Sequence, residues 1–183
     1  MQTDARTALL WYPMRVTYGR EEAVKKVLDQ DQVENFLPMQ EEWVFDEKRV
    51  PHRRLMPAIR NLIFIHSSQD QITQLKMYRR EYQSLRYMMN VFSDTNSILT
   101  VPDRQMDNFI RVASVQDDRV QFLEYNQEFL AKPGKRVRVT DGDFKGCEGI
   151  IRRIKKNQCV VVQVEGVAAV AITFVPTAWL EVI

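Results

Sequence analysis

The sequence predicts an α+β domain, an antiparallel sheet with flanking helices, followed by a small SH3-like β-barrel. Three observations predict it. Strand-like and helix-like apolar patterns alternate along residues 1–114. From Pro133 to Ile183 only strand-like runs recur, about every eight to twelve residues. Between them, over 115–132, the pattern weakens into Gln, Asp and Glu. The expected division is therefore a domain at 1–114, a linker at 115–132 in which Val120 to Tyr125 has some capacity for local structure, and a barrel at 133–183.

Leu9 to Tyr18 is rich in aromatic and β-branched residues and reads as a strand buried on at least one face, ended by Gly19. Glu21 to Gln32 follows as an amphipathic helix carrying Val24, Val27 and Leu28, with carboxylates in the first turn, where the helix dipole favours them. Phe36 to Phe45 is a second extended run, Asp46 to Arg49 a polar turn, and Val50 onward the return arm of a hairpin. Pro51 and Pro57 flank that arm and mark it as an edge, because proline cannot donate to a ladder. Leu62 to Ile65 is a continuous apolar strand suited to a sheet centre. Asp70 to Tyr82 is helical, with Ile72, Leu75 and Tyr78 near one face, and Leu85 to Val91 is a further strand. Pro102 opens a last helix whose Met106, Phe109, Ile110 and Ala113 fall at helical spacing.

The second part contains strands at Arg136 to Thr140, Cys147 to Lys155, Gln158 to Glu165, Ala168 to Val175 and Trp179 to Val182, with turn residues between them. A core this small needs its apolar side chains, so Val137, Val139, Phe144, Ile150, Val162 and Trp179 are read as structural.

Composition excludes several classes. With 45% apolar and 27% charged residues the chain is an ordinary globular sequence rather than a disordered or low-complexity one. No apolar stretch approaches the roughly 18–20 residues of a membrane span. Met1 to Tyr12 lacks the apolar run of a signal peptide, so a cytoplasmic protein without a membrane partner is expected. Cys147 and Cys159, with only His52 and His66 for company, give neither a disulfide framework nor a zinc constellation and read as reduced, buried thiols. The net charge of +2 conceals an asymmetry: residues 133–183 carry 8 Lys/Arg against 5 Asp/Glu, whereas 1–132 carry 18 against 19. Lys48, Arg49, Arg53, Arg54 and Arg60 follow directly on Glu41, Glu42, Asp46 and Glu47, so the charges are sorted into blocks.

Nothing in the sequence asks for catalysis. Gly142, Gly146 and Gly149 sit among strands and not between a strand and a helix, as a phosphate-cradling loop requires. Both thiols lie in a different domain from both histidines. Glu41-Glu42 and Asp117-Asp118 occupy polar stretches where solvation explains them.

The segment from Asp141 to Ile150 holds three glycines between two β-branched runs, with Phe144 as an anchor, and is preceded by Gly134-Lys135-Arg136-Val137-Arg138-Val139. This arrangement resembles a KOW motif. Leu10-Trp11-Tyr12, Arg15 to Glu21 running into a helix, Phe36-Leu37-Pro38 and Leu62-Ile63-Phe64-Ile65 resemble the N-terminal (NGN) domain of NusG-like transcription elongation and antitermination factors. The two resemblances together cover nearly the whole chain. Val101 to Met106 with Phe109-Ile110 looks most like the UpxY type, specialised paralogues acting on surface-polysaccharide (capsular) operons.

The resemblance implies a monomer that is not an enzyme and uses no cofactor or metal. It implies an N-terminal domain docked on the clamp helices of the largest RNA polymerase subunit, bridging the main channel toward the opposing pincer and suppressing pausing and termination. By position, Arg15, Ile59, Arg60 and Leu62 correspond to the polymerase-docking patch. Relatives commonly carry an aromatic-Pro-Gly-Tyr-like run where this chain has Ile59-Arg60-Asn61-Leu62, so the patch here is less aromatic and more charged. Arg20, Lys25, Lys26, Arg53 and Arg54 are candidates for contact with non-template or upstream DNA, and Tyr78 and Tyr87 for stacking on bases. In the KOW domain, Arg136, Arg138, Lys145, Arg152, Arg153, Lys155 and Lys156 form the surface expected to recruit a partner. In relatives that partner is a termination factor or a ribosomal protein, and in some cases nascent RNA. Some members fold this domain as a helical hairpin, but the β-rich runs Cys159 to Val164 and Val170 to Val175 favour the barrel. The rival class is a general nucleic-acid or ribosome-binding KOW module without polymerase contact, which would need no apolar docking face on its first domain.

Overall fold

The computed structural model describes residues 6–91, 97–124 and 132–183. The chain divides into two compact units, Met1–Asp103 and Arg104–Ile183.

In the first unit β1 (Leu10–Val16) leads through a one-turn 3-10 segment into α1 (Glu21–Gln30). The strand stops short of the expected Tyr18 because Tyr18 and Gly19 both take positive φ, 67° and 62°, which no strand can continue. The expected single run from Phe36 to Phe45 is split at Leu37-Pro38 into β2 (Asn35–Phe36) and β3 (Met39–Phe45), and the two parts join different sheets. β3 pairs with β4 (Pro51–Pro57) alone, as a two-stranded ribbon whose Asp46 carboxylate accepts from the Lys48 and Val50 amides and closes the turn. β5 (Leu62–Ser67) is central, in the order β2-β5-β1-β6, with β6 spanning Leu85–Tyr87. Between them α2 (Gln69–Tyr78) starts at Ser68, whose hydroxyl caps the Gln71 amide, and gives way after Tyr78 to a 3-10 segment, Arg80–Ser84.

β1 tolerates Pro13 because its missing N–H falls in a gap. The neighbouring β6 ladder begins only at Met14, and the next contact on that side is the bridge from Trp11 to Val101. One face of the sheet, with Tyr12, Met14, Val16, Ile63 and Ile65, packs with Val24 and Leu28 of α1 and Ile72 of α2 into a single core. The other face carries Trp11, Leu62 and Phe64, which are also buried, and there Trp11 stacks on the His66 ring at 4.9 Å.

The second unit comprises α3 (Asp103–Ala113, from Arg104 on) and six strands: β7 (Val120–Leu123), β8 (Arg136–Val139), β9 (Glu148–Ile154), β10 (Asn157–Val164), β11 (Ala168–Thr173) and β12 (Leu180–Val182). All pairings are antiparallel in the order β12-β8-β9-β10-β11-β7. The last strand thus returns beside the first strand of the expected five, as in an SH3-like barrel.

Two features differ from the sequence expectation. β7 lies within the stretch read as a linker and pairs with β11 from Val120↔Ile172 to Leu123↔Ala169; residues 125–131 of that stretch lie outside the described residues. The final helix, expected to close the first domain, groups with the strands that follow it. The Asn108 side-chain amide brackets the Glu148 backbone, donating to its carbonyl and accepting from its N–H at 2.9 Å, while Arg104 reaches the Glu148 carboxylate. The apolar period of the helix shows that one face needs cover, but it cannot say which polar groups the other face will meet.

Val137, Val139, Phe144 and Val162 are buried as expected, while Ile150 and Trp179 are half-buried. The three glycines of the Asp141 to Ile150 segment do different work. Gly146 sits at φ 84°, where a side chain is strained, whereas Gly149 has ordinary φ and is small for another reason: a Cβ there would lie 2.7 Å from the Val161 carbonyl oxygen on the neighbouring strand. Gly149→Ala is therefore expected to push β9 off β10 and lower stability by about 1–3 kcal/mol in urea unfolding followed by circular dichroism. An unchanged midpoint would refute this reading of the close approach.

Candidate functional site

The segment entering β5 is fixed from two sides. The Asn61 N–H donates to the Glu21 carboxylate at 2.5 Å, and the Asn61 carbonyl accepts from the Val16 N–H at 3.1 Å. Glu21 is only 5% exposed, and a buried carboxylate at the start of α1 that takes a backbone amide 40 residues away holds the turn, with Asn61 at φ 58°, against the end of β1. Its place in a helix first turn had suggested only a dipole partner.

This pinned margin displays Arg60, with Ile59 half-buried beside it, and Arg15 on β1. Arg15 pairs in register with Arg86 of β6, so the two exposed arginines stand on one face at one end of the sheet. Arg86 was not singled out from sequence. The short alternation Leu85-Arg86-Tyr87 makes it a surface residue, but only the strand order brings it next to Arg15. Leu62 is the exception among the expected docking residues: at 4% exposure it is part of the packed sheet and not of an exposed patch, because β5 is covered on both faces.

Of the candidate DNA contacts, Arg20, Lys26 and Arg54 are exposed, whereas Lys25 is tied to Asp29 at 3.0 Å and to Asn35, and Arg53 to Glu41 at 3.0 Å. On the hairpin, Trp43 and Arg53 are register partners and the guanidinium lies 5.3 Å from the indole centre; Phe45 and Leu55 share that face and are exposed as well. Tyr78 is 82% exposed, but Tyr87 is half-buried, in a T-shaped contact with Tyr12 and with the Lys76 ammonium over its ring, and is less available to a base.

In the second unit the seven basic candidates separate. Arg138 donates to Glu148 at 2.8 Å and Arg136 lies 3.9 Å from the same carboxylate. Arg152 is buried and reaches the Lys132 carbonyl. Lys145, Arg153, Lys155 and Lys156 are exposed and, among the described residues, make no ion pair. Both cysteines are buried and free, and burial pushes the Cys147 thiol up to about 11, so it stays protonated at neutral pH. His66 is occupied by Trp11 and by Glu34, 2.5 Å from Nδ1.

What these surfaces offer is charge, exposed aromatics and fixed backbone, the equipment of a protein that binds other macromolecules. The sequence profile of the family described as "Transcription termination factor nusG" matches residues 9–110, more than half of the chain, and the chain belongs to this family of non-enzymatic transcription factors. A similar solved structure is described as "Domain interaction in Thermotoga maritima NusG", with 17% identity and a TM-score of 0.47 over 95% of this chain and 97% of that one. No curated protein matches the chain.

The hydrogen bonds from Arg138 first, and then the Arg104 contact, hold the Glu148 carboxyl below its ordinary value. A depressed folded-state pKa adds stability above the unfolded value of about 4.3, and that stability is lost as pH falls through the folded value. Stability should thus fall on acidification below about pH 5, and less steeply in Glu148→Gln. Parallel acid-unfolding curves for the two proteins would show that the cluster contributes nothing.

Proposed function

We propose that this protein is a polymerase-bound elongation factor of the NusG family acting as a processive antiterminator in the cytoplasm, of the UpxY type and serving surface-polysaccharide operons. The single observation that carries the reading is the family match over residues 9–110. The pinned basic margin of the first unit gives it a physical form.

In this reading the clamp helices of the largest polymerase subunit meet Arg15, Arg60 and Ile59. Leu62 supports them from inside the sheet, and Arg86 extends the patch. The Glu21 to Asn61 bond holds the turn in one shape before docking, so little ordering is left to be done at the interface. The factor bridges toward the opposing pincer. By binding the clamp-closed polymerase better than the paused one, it shifts that equilibrium by the difference in affinity and no more. Arg20, Lys26 and Arg54 approach non-template or upstream DNA through its phosphates, without reading sequence. The second unit is a KOW barrel whose exposed lysines and arginines recruit a further partner.

Polymerase core should retain the full-length protein in a pull-down and, with it bound, read through an intrinsic terminator more often. Arg15→Glu with Arg60→Glu is expected to weaken retention about ten-fold or more with an unchanged circular dichroism spectrum. Leu62→Asp, by contrast, places a charge in the packed sheet and should lose the folded spectrum itself. A folded wild-type protein that binds nucleic acid but is not retained by polymerase would replace this reading with that of a general KOW module.

A further inference from the structure

The ribbon β3-β4 pairs with no other described strand, so each of its arms is a sheet edge. The two edges differ. At one end of the ribbon the Ala58 N–H donates to the Pro38 carbonyl at 2.8 Å, and at the other the Asp46 N–H donates to the Val50 carbonyl at 3.1 Å. Bonded and non-bonded pairs alternate along an antiparallel ladder, so between those ends Gln40↔Met56, Glu42↔Arg54 and Val44↔His52 are the pairs that bond each other. The odd-numbered residues turn their backbone groups outward. On β4 two of these are Pro51 and Pro57, which have no N–H and blunt that edge. On β3 they include Glu41, Trp43 and Phe45, whose backbones make no hydrogen bond among the described residues.

The open arm is acidic and aromatic. From Val33 to Glu47 the chain has five carboxylates and no lysine or arginine; the basic residues follow in the turn and on β4. Neighbouring strands lie about 5 Å apart, so a strand added to β3 runs about 5 Å from the acidic arm and about 10 Å from Arg53 and Arg54. At the second distance salt already screens much of the field. Glu41 is shared with Arg53 and Asp46 with the turn amides, but Glu42 and Glu47 are exposed and make no ion pair among the described residues. Trp43 and Phe45, 64% and 70% exposed, lie on the side of the ribbon that Glu41 shares, and Glu42 and Val44 lie on the other.

We infer that the outer edge of β3 takes an extended, basic segment of a partner protein as an added antiparallel strand. Main-chain bonds to Glu41, Trp43 and Phe45 supply its affinity. The partner residues that make them carry their side chains on the side of Trp43 and Phe45 and are apolar. The residues between them meet Glu42 and, at the turn, Glu47, and are lysine or arginine. The same features set other occupants aside. Nucleic acid brings phosphates toward carboxylates. A second copy of this chain offers either a β4 edge blunted by its prolines or a β3 edge of the same charge. The inference goes beyond the elongation-factor reading and does not rest on it. Arg15, Arg60 and Arg86 lie outside the ribbon, so retention on polymerase and strand addition have separate readouts.

The test uses the full-length protein and a capped, fluorescein-labelled eight-residue peptide of alternating valine and lysine, followed by anisotropy. The wild type should bind it, and more weakly as salt rises. N-methylation at the valines removes the amides that face β3 and should weaken binding by about ten-fold or more. N-methylation at the lysines, whose amides point away, should change it far less. Glu42→Lys with Glu47→Lys should weaken binding by about five-fold or more with an unchanged circular dichroism spectrum. Trp43→Pro removes an outward N–H that the ribbon does not use, as Pro51 and Pro57 do on β4, and should abolish binding in a folded protein. No binding by the wild type, equal effects of the two methylations, or equal binding of a glutamate-valine peptide would each overturn the assignment. So would labelled oligothymidine whose binding Trp43→Pro abolishes in the same way, which gives the edge to nucleic acid, or a wild-type dimer that Trp43→Pro dissociates in sedimentation, which gives it to a second copy.

Discussion

Successive residues of a strand point to opposite sides of its sheet, yet all four from Leu62 to Ile65 are shut away from water. The centre of the first sheet is therefore committed on both faces, and much else follows from that commitment. No broad apolar surface can be offered there to a partner. What the sheet offers lies at its margins: the turn before β5, the exposed ends of β1 and β6, and the ribbon β3-β4, which pairs with no other described strand. The buried Glu21 carboxylate matters for the same reason, because it ties the margin to the committed centre and passes the rigidity of the core to residues that face solvent.

Most of the element order was legible in the sequence, since period and turn chemistry are local properties. Leu62 to Ile65 read as a sheet centre because a strand buried on both faces has no alternation to show, and it is central. The same signal, followed further, argued against Leu62 as a surface residue; resemblance by position pulled the other way. The turn residues before Val50 and the prolines flanking β4 correctly marked an edge ribbon. What sequence could not reveal is non-local. The four residues of β7 are too few to show a period within an acidic stretch, and they form a strand by pairing with the edge of β11 at Ala169 to Ile172. α3 groups with the second unit, and its Asn108 amide there matches a peptide group 40 residues away, which no local pattern announces.

The candidate surfaces were legible as inventories of basic residues and not as states. Lys25, Arg53, Arg136 and Arg138 look no different in sequence from Lys26, Arg54, Lys155 and Lys156, but the first four are engaged by carboxylates and the others make no ion pair among the described residues. Sorting them needs distances. Arg86 was passed over for the complementary reason, since it acquires its neighbour from strand order.

The ribbon β3-β4 has a consequence of a different kind. Its pairings are all internal and its aromatic face lies outside the packed cluster that holds the sheet, so changes at Trp43, Phe45, Leu55 or the turn leave the core untouched. The exposed aromatic face and the packed core are thereby placed on separate parts of the chain. The arm can be exchanged, lengthened or recharged while the scaffold beneath it keeps its packing.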